Sequence, residues 1–224
     1  MTNTYAIGDS HGCRDQLARL FELCEREAGQ QRSKFILLGD YIDRGPDSRG
    51  VIEFLLDMQK WSPDEIICLK GNHEDLFLAA LDGEDAEMNW LANGGGATLR
   101  SYRASRARDI PTSHIDWIRS LPLSHDDGQR FFVHAGVHPD RPLDQQRARD
   151  LLWIREPFLS SNKDFGRLIV HGHTPLKSGI PDLRPNRLNL DTGAVYGRAL
   201  TSAVFSRQKV DPVKFLTTSS LEPR

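Results

Sequence analysis

LLGDYIDRGP, residues Leu37 to Pro46, ends an apolar run in a cluster of charge. Phe35, Ile36, Leu37 and Leu38 read as a buried strand, rich in branched and aromatic side chains. Gly39 breaks the run, and Asp40, Asp43 and Arg44 follow at once. Charges where a backbone leaves the core are costly to desolvate unless paired, hydrated or coordinated to a metal. A strand opening into such a loop is the unit with which α/β folds build ligand sites. The flanking sequence therefore has to supply more of the same unit.

It does. Further short apolar runs at 5–7, 65–69, 131–133 and 168–170 read as buried strands. Between them lie helical periods: 15–28 carries Leu17, Leu20, Phe21 and Cys24 on one face, and 48–58 carries Val51, Ile52, Leu55 and Leu56. This alternation predicts an α/β architecture with helices covering strands. The tail differs, because 187–190, 199–205 and 213–216 read as successive strands with few residues between them. The expected object is a sheet sandwich, partly parallel and partly antiparallel, flanked by helices. Segment 82–124 reads as a helical, loop-rich sub-structure over one edge, and 178–186, with Pro181 and Pro185, as a loop. No repeat or low-complexity tract divides the chain, and 224 residues suit one domain over 1–224.

Each of five strands is followed by polar residues of one chemical type. The groups are Gly8-Asp9-Ser10-His11-Gly12, Gly39-Asp40-Tyr41-Ile42-Asp43-Arg44-Gly45, Gly71-Asn72-His73-Glu74, His134-Ala135-Gly136 and His171-Gly172-His173-Thr174. Taken singly they have plain explanations. Asp9 and His11 suit a helix cap and a surface histidine; Asp43 and Arg44 suit a surface ion pair of ~0–1 kcal/mol; Asn72 suits a turn; His134 suits a satisfied, partly buried ring. The recurrence at five strand ends has no such explanation. Ligands bind beyond the carboxyl ends of strands in open α/β sheets, so the five loops are expected to converge there. Mixed oxygen and nitrogen donors without thiolate suit Mn²⁺, Fe or Zn²⁺.

Composition excludes little and adds a compartment. With 29 Lys+Arg against 31 Asp+Glu, the net charge of -2 points to neither nucleic acid nor an anionic membrane as partner. Cys13, Cys24 and Cys68 are odd in number, without framework or metal-site spacing, and read as reduced thiols of a cytoplasmic protein. The first strand begins almost at once, with no basic leader and no long apolar run. Nothing in the sequence bears on oligomeric state.

In their order, GDSHG, GDYIDRG, GNHE, HAG and HGHT resemble the calcineurin-like metallophosphoesterases, specifically the bacterial and phage form of the serine/threonine protein phosphatase branch. The resemblance runs from Ile7 to Thr174. It implies a four-layer αββα sandwich of two mixed β-sheets flanked by helices, an α/β (α+β) class that agrees with the strand reading. It implies two divalent metal ions, with Mn²⁺ foremost and Fe or Zn²⁺ as alternatives. Asp9 and His11 would hold the first metal, Asp40 would bridge both, and Asn72, His134 and His173 would complete the second. Bridging keeps such cations about 3.5–4 Å apart, and water between them is acidified into a nucleophile. By the same resemblance His73 protonates the leaving alkoxide and Asp43 orients that imidazole. Arg44 clamps the phosphate, which Asn72 and Arg155 also contact. The implied substrate is a phosphorylated protein or a small phosphoester.

Some residues depart from the wider pattern or carry weaker signals. Pro175 stands where many metallophosphoesterases have a later metal-binding histidine, so His173 is read as the ligand and His171 as a strand-end residue. Glu74 is expected to support the site or to begin a helix, where acid suits the dipole. Leu151 to Arg155 reads as a short amphipathic helix with Trp153 in the core. Trp90-Leu-Ala-Asn-Gly-Gly-Gly96 reads equally as a turn with a helix start or as a substrate-contacting segment, and Asp191, Thr192, Gly193 and Tyr196 as pocket rim. Two other functions compete. The opening DSHGCRDQL also resembles symmetrical diadenosine tetraphosphate hydrolases, but the intact Asp43-Arg44-Gly45 and Asn72-His73-Glu74 favour phosphomonoesters. A non-catalytic metal-binding scaffold would be expected to have lost ligands or the acid, and none is missing.

Overall fold

The computed structural model describes residues 3–62 and 65–218. Among the described residues, ten strands form two mixed sheets of five. In the first, β1 (Asn3–Ile7), β2 (Ser33–Leu37) and β3 (Ile66–Cys68) run parallel. Strand β9 (Thr201–Phe205) pairs antiparallel with β1, and β10 (Lys214–Thr217) antiparallel with β9. In the second, β5 (Arg130–Val133), β6 (Leu168–His171) and β8 (Arg187–Asn189) run parallel. Its edges are antiparallel: β4 (Ser124–Asp126) on β5 and β7 (Asp182–Leu183) on β8.

Both faces of the central strands are buried, so the two-residue period sorts one apolar run into two cores. Ala6, Ile36 and Leu38 point inward, meeting Phe132, Val170, Leu188 and Phe205 between the sheets. Tyr5, Ile7, Phe35 and Leu37 point outward, beneath α1 (Arg14–Ala28) and α2 (Ser48–Trp61). On the far side Phe131, Val133 and Ile169 pack against Leu151, Ile154 and Phe158, from α7 (Ala148–Trp153) and the turn after it. Helix, sheet, sheet and helix are thus stacked as expected, with the last layer reduced to one short helix.

Between β3 and β4 the chain forms α3 (Asn72–Ala80), α4 (Glu84–Trp90), a π-helical turn at Leu91–Gly95, α5 (Gly96–Tyr102) and α6 (Thr112–Ser120). Of these, α4 to α6 lie within 82–124, whose last residue, Ser124, belongs to β4. Two other expectations need correction. Segment 178–186 is not loop throughout, because Asp182–Leu183 adds an edge strand to β8. Trp153 is not in the core: it is 38% exposed, because the adjacent Leu151 and Leu152 take the buried face of a six-residue helix. Among the described residues no helix is long and apolar enough to cross a membrane, and Cys13, Cys24 and Cys68 are free thiols.

Candidate active site

The expected loops leave the carboxyl ends of the parallel strands β1, β2 and β3 in one sheet and β5 and β6 in the other. Backbone bonds knit them together: His11 N–H donates to Asp40 O and Gly12 N–H to Tyr41 O, both at 2.8 Å. Across the sheets, His134 Nδ1 lies 2.8 Å from Leu38 O. Two glycines permit the crowding. A Cβ on Gly39, whose φ is +102°, would lie 2.6 Å from Gly71 Cα, and one on Gly172 would overlap Asp9 Oδ1. The backbone is strained here as well. His11, Asp40, Asp43, Arg44 and His173 are five of the six described non-glycine residues with positive φ, and such conformations persist only where the surroundings over-determine them.

Asp40 is the centre. Its carboxylate lies 3.4 Å from His11 Nε2 on one side and 3.4 Å from His134 Nε2 on the other, and it accepts the His73 N–H at 3.0 Å. Two sets of potential metal ligands share it: His11, Asp40 and His73, and Asp40, His134 and His173. Asn72 Oδ1 joins the second set, 2.8 Å from His134 Nε2 and 2.7 Å from His173 Nδ1. Asp9 is in neither set. Its Oδ2 accepts the His173 N–H at 2.9 Å, and its buried Oδ1 has no hydrogen-bond partner among the described residues.

His73 and Asp43 form a buried pair, Nδ1 to Oδ2 at 2.7 Å. Arg44 Nη1 lies 3.0 Å from His11 Nε2, with the guanidinium exposed at the mouth. Arg155 is exposed just beyond α7, close enough for its charge to depress His173 and Asp191. Exposed Trp153 stands edge-on to His173, ring centres 6.3 Å apart. His171 ends β6, buried against Phe158, as its reading as a strand-end residue requires. Of the expected rim residues, Asp191 and Thr192 are buried and Tyr196 is exposed.

Electrostatics divide the histidines. Burial drives His11 and His173 down to about 3 and lowers His134 too, so these rings are neutral. Burial also opposes charge on His73, but Asp40 and Asp43 outweigh it and raise its pKa. Burial alone would raise Asp40; His134, His73 and His11 instead hold it below the usual carboxylate range. Burial, Asp191 and Asp40 push Asp9 well up. Burial moves Asp191 to about 7, and burial with Asp40 moves Glu74 to about 8.

This donor set suits cations. Neutral His134 donates through Nδ1 to Leu38 O, so its Nε2 lone pair faces the carbonyl of Asn72 and the carboxylate of Asp40. Acceptors converging on acceptors, beside the orphaned Asp9 Oδ1 and a crowd of buried carboxyl groups, are an arrangement that a cation between them would stabilise.

Four supporting residues were incompletely legible in the sequence. Glu74 accepts N–H groups from Asp40 and Tyr41 at 2.8 Å, Gly71 at 2.9 Å and Ile42 at 3.3 Å, holding the Asp40 loop on the start of α3. Trp90 Nε1 and Thr98 Oγ1 donate to Asp43, and Ser48 Oγ accepts its backbone N–H. Glu74 had a local signal, its place three residues into a helix after glycine, and Trp90 opened a singled-out segment whose link to Asp43 was not legible. The glycine-rich turn packs on the same loop, with Gly94 O accepting the Arg44 N–H.

The calcineurin-like phosphoesterase family model matches residues 2–203. The chain belongs to that family. It is a phosphoesterase-type hydrolase of a family that uses a dinuclear metal centre. Serine/threonine-protein phosphatase 1 of Salmonella typhimurium is 30% identical over 213 residues, 90% of this chain and 91% of that protein. The symmetrical bis(5'-nucleosyl)-tetraphosphatase of Dechloromonas aromatica is 35% identical over 150 residues, 66% of this chain but 48% of that protein. The chain thus spans about half the length of that relative. A solved structure assigned provisionally as a diadenosine tetraphosphatase superposes with TM-score 0.74 at 23% identity, covering 99% and 95% of the two chains. A protein serine/threonine phosphatase from Saccharomyces cerevisiae superposes with TM-score 0.66 at 16% identity, covering 100% and 81%. At these identities the structural likeness shows the fold alone.

Proposed function

We propose that this phosphoesterase is a phosphomonoesterase of the serine/threonine protein phosphatase type, using two divalent cations, Mn²⁺ foremost. Asp9, His11, Asp40, Asn72, His134 and His173 would hold the cations, Asp40 being shared by the two ligand sets. Two metals there would supply Lewis acidity, drawing off phosphoryl charge and acidifying water at neutral pH. Asn72 and the guanidinium groups of Arg44 and Arg155 receive the phosphate, where a planar fork suits paired oxygens better than an ammonium does. The helix that starts with Asn72 and His73 adds its positive end.

The observation that carries the reading is the buried 2.7 Å contact between His73 and Asp43. Serine and threonine alkoxides are poor leaving groups and need a proton as the P–O bond breaks. An imidazolium held by a carboxylate supplies one. A nucleotide phosphate leaves without that help. A second reading, dinucleoside polyphosphate hydrolysis, is favoured by identities of 31–35% to symmetrical tetraphosphatases over the shared part of the chain. The full-length match to the Salmonella phosphatase supports the first. The same proposal takes the chain as one domain working in the cytoplasm, in keeping with its three free thiols. The test is kcat/KM with Mn²⁺ for a phosphoserine or phosphothreonine peptide against diadenosine tetraphosphate. Preference for the peptide is expected; preference for the dinucleotide would place the enzyme in nucleotide metabolism.

A further inference from the structure

We infer that Trp90 and Thr98, neither of which the sequence linked to Asp43 or His73, are positioning residues for proton delivery by His73. The inference rests on reading His73 as the acid. Asp43 is fully buried, and three donors meet its carboxylate: His73 Nδ1 at 2.7 Å, Thr98 Oγ1 at 2.7 Å and Trp90 Nε1 at 2.9 and 3.0 Å. Thr98 acts twice. The oxygen that donates to the Asp43 carboxylate also accepts the Asp43 backbone N–H at 2.9 Å, closing a ring on one residue. Ser48 Oγ lies 3.0 Å from that hydroxyl and 3.1 Å from the same N–H. The ring locks Asp43 at a φ of +71°, a conformation that a non-glycine residue keeps only when over-determined.

Trp90 is fixed in turn. It is fully buried against Phe77, and its indole lies where a Cβ on Gly95 would have been. Trp90 and Thr98 come from α4 and α5, 47 and 55 residues beyond Asp43. That segment contributes none of the proposed metal ligands and reaches the site through Asp43 and Arg44. Its chemical effect therefore acts on the proton and the phosphate clamp, not on the metals. In the step, an oxygen of water bonds to phosphorus as the P–O bond to the leaving group breaks; that bond's electrons stay on the leaving oxygen, which takes the proton from His73 Nε2, and His73 regains a proton from solvent. Throughout, the Nδ1–H bond to Asp43 aims the ring. A carboxylate free to swing would let the ring turn with it, and misplacement by 1 Å can cost about 10²-fold in rate.

The test uses the metal-loaded enzyme and two substrates that differ in their need for a proton. A phosphoserine peptide has a poor leaving group, and p-nitrophenyl phosphate a good one. Thr98→Val keeps the side chain's shape and Trp90→Phe keeps a smaller aromatic ring, and each removes the donor. Each is expected to lower kcat about 10–100-fold on the phosphopeptide and less than about 3-fold on p-nitrophenyl phosphate, with Thr98→Ser restoring the first rate. Without metals, the His73 Nδ1 proton resonance should move upfield in the two variants as its bond to Asp43 loosens. Equal losses on both substrates, or none, beside a His73→Asn variant that loses the phosphopeptide selectively, would overturn the inference and leave the acid reading standing. If His73→Asn itself lost both substrates equally, the acid reading would fall and the inference with it.

Discussion

His73 and His134 are buried on either side of the same carboxylate, Asp40, yet their surroundings drive them in opposite directions. The difference lies at the far nitrogen. His134 Nδ1 donates to a backbone carbonyl, Leu38 O, whose dipole is too weak to offset burial. His73 Nδ1 meets the carboxylate of Asp43, and with Asp40 that reverses the penalty of burial. On the proposed function, one ring would offer a lone pair to a cation and the other would have a proton to give away. The role of each imidazole would then be set by its outer partner.

Asp40 serves both sides, so its removal has the largest expected effect. Asp40→Asn should lower kcat by more than about 10³-fold on any phosphoester, because several kcal/mol of charge stabilisation goes with it. Metal analysis of the purified variant checks the cause, with bound Mn²⁺ expected to fall. Retention of both metals and of turnover would show that the two sides do not depend on one carboxylate.

Asp43→Asn acts on one side only and sharpens the contrast. An acid must be protonated, so activity fails as pH rises through its pKa. The wild-type basic limb is expected above the ordinary histidine range, because Asp40 and Asp43 raise His73. Without the Asp43 charge that limb should move to lower pH while metal content stays near wild type. An unmoved limb in the pH–rate profile would separate His73 from the step it is proposed to perform.

The parts of this site that were legible in the sequence share one property: they are local. Each lies within a few residues of a strand end, where an apolar run gives way to glycine and a ligand-type side chain. Asp9, His11, Asp40, Asn72, His134 and His173 were singled out as candidates in this way, their proposed ligand roles coming from the family resemblance, and the sheet sandwich followed from the same runs. Other features depend on tertiary packing. The partners of Asp43 come from helices 47 and 55 residues away, and no spacing rule connects them. Strand β4, Ser-His-Asp, has no apolar alternation, and β7 has only two residues. They are strands because a neighbour's edge accepts them. Helical period put Trp153 in the core, but α7 is too short to bury more than Leu151 and Leu152.

On the proposed function, the buried pair of His73 and Asp43 fits this chain to phosphomonoesters with poor leaving groups. The most direct test of this fit is kcat for His73→Asn on a phosphoserine peptide and on diadenosine tetraphosphate, with metal content matched to wild type. A fall of about 10²–10⁴-fold is expected on the peptide, the usual contribution of a positioned acid, with little change on the dinucleotide. Equal falls on the two substrates, or an unchanged rate on the peptide, would contradict it.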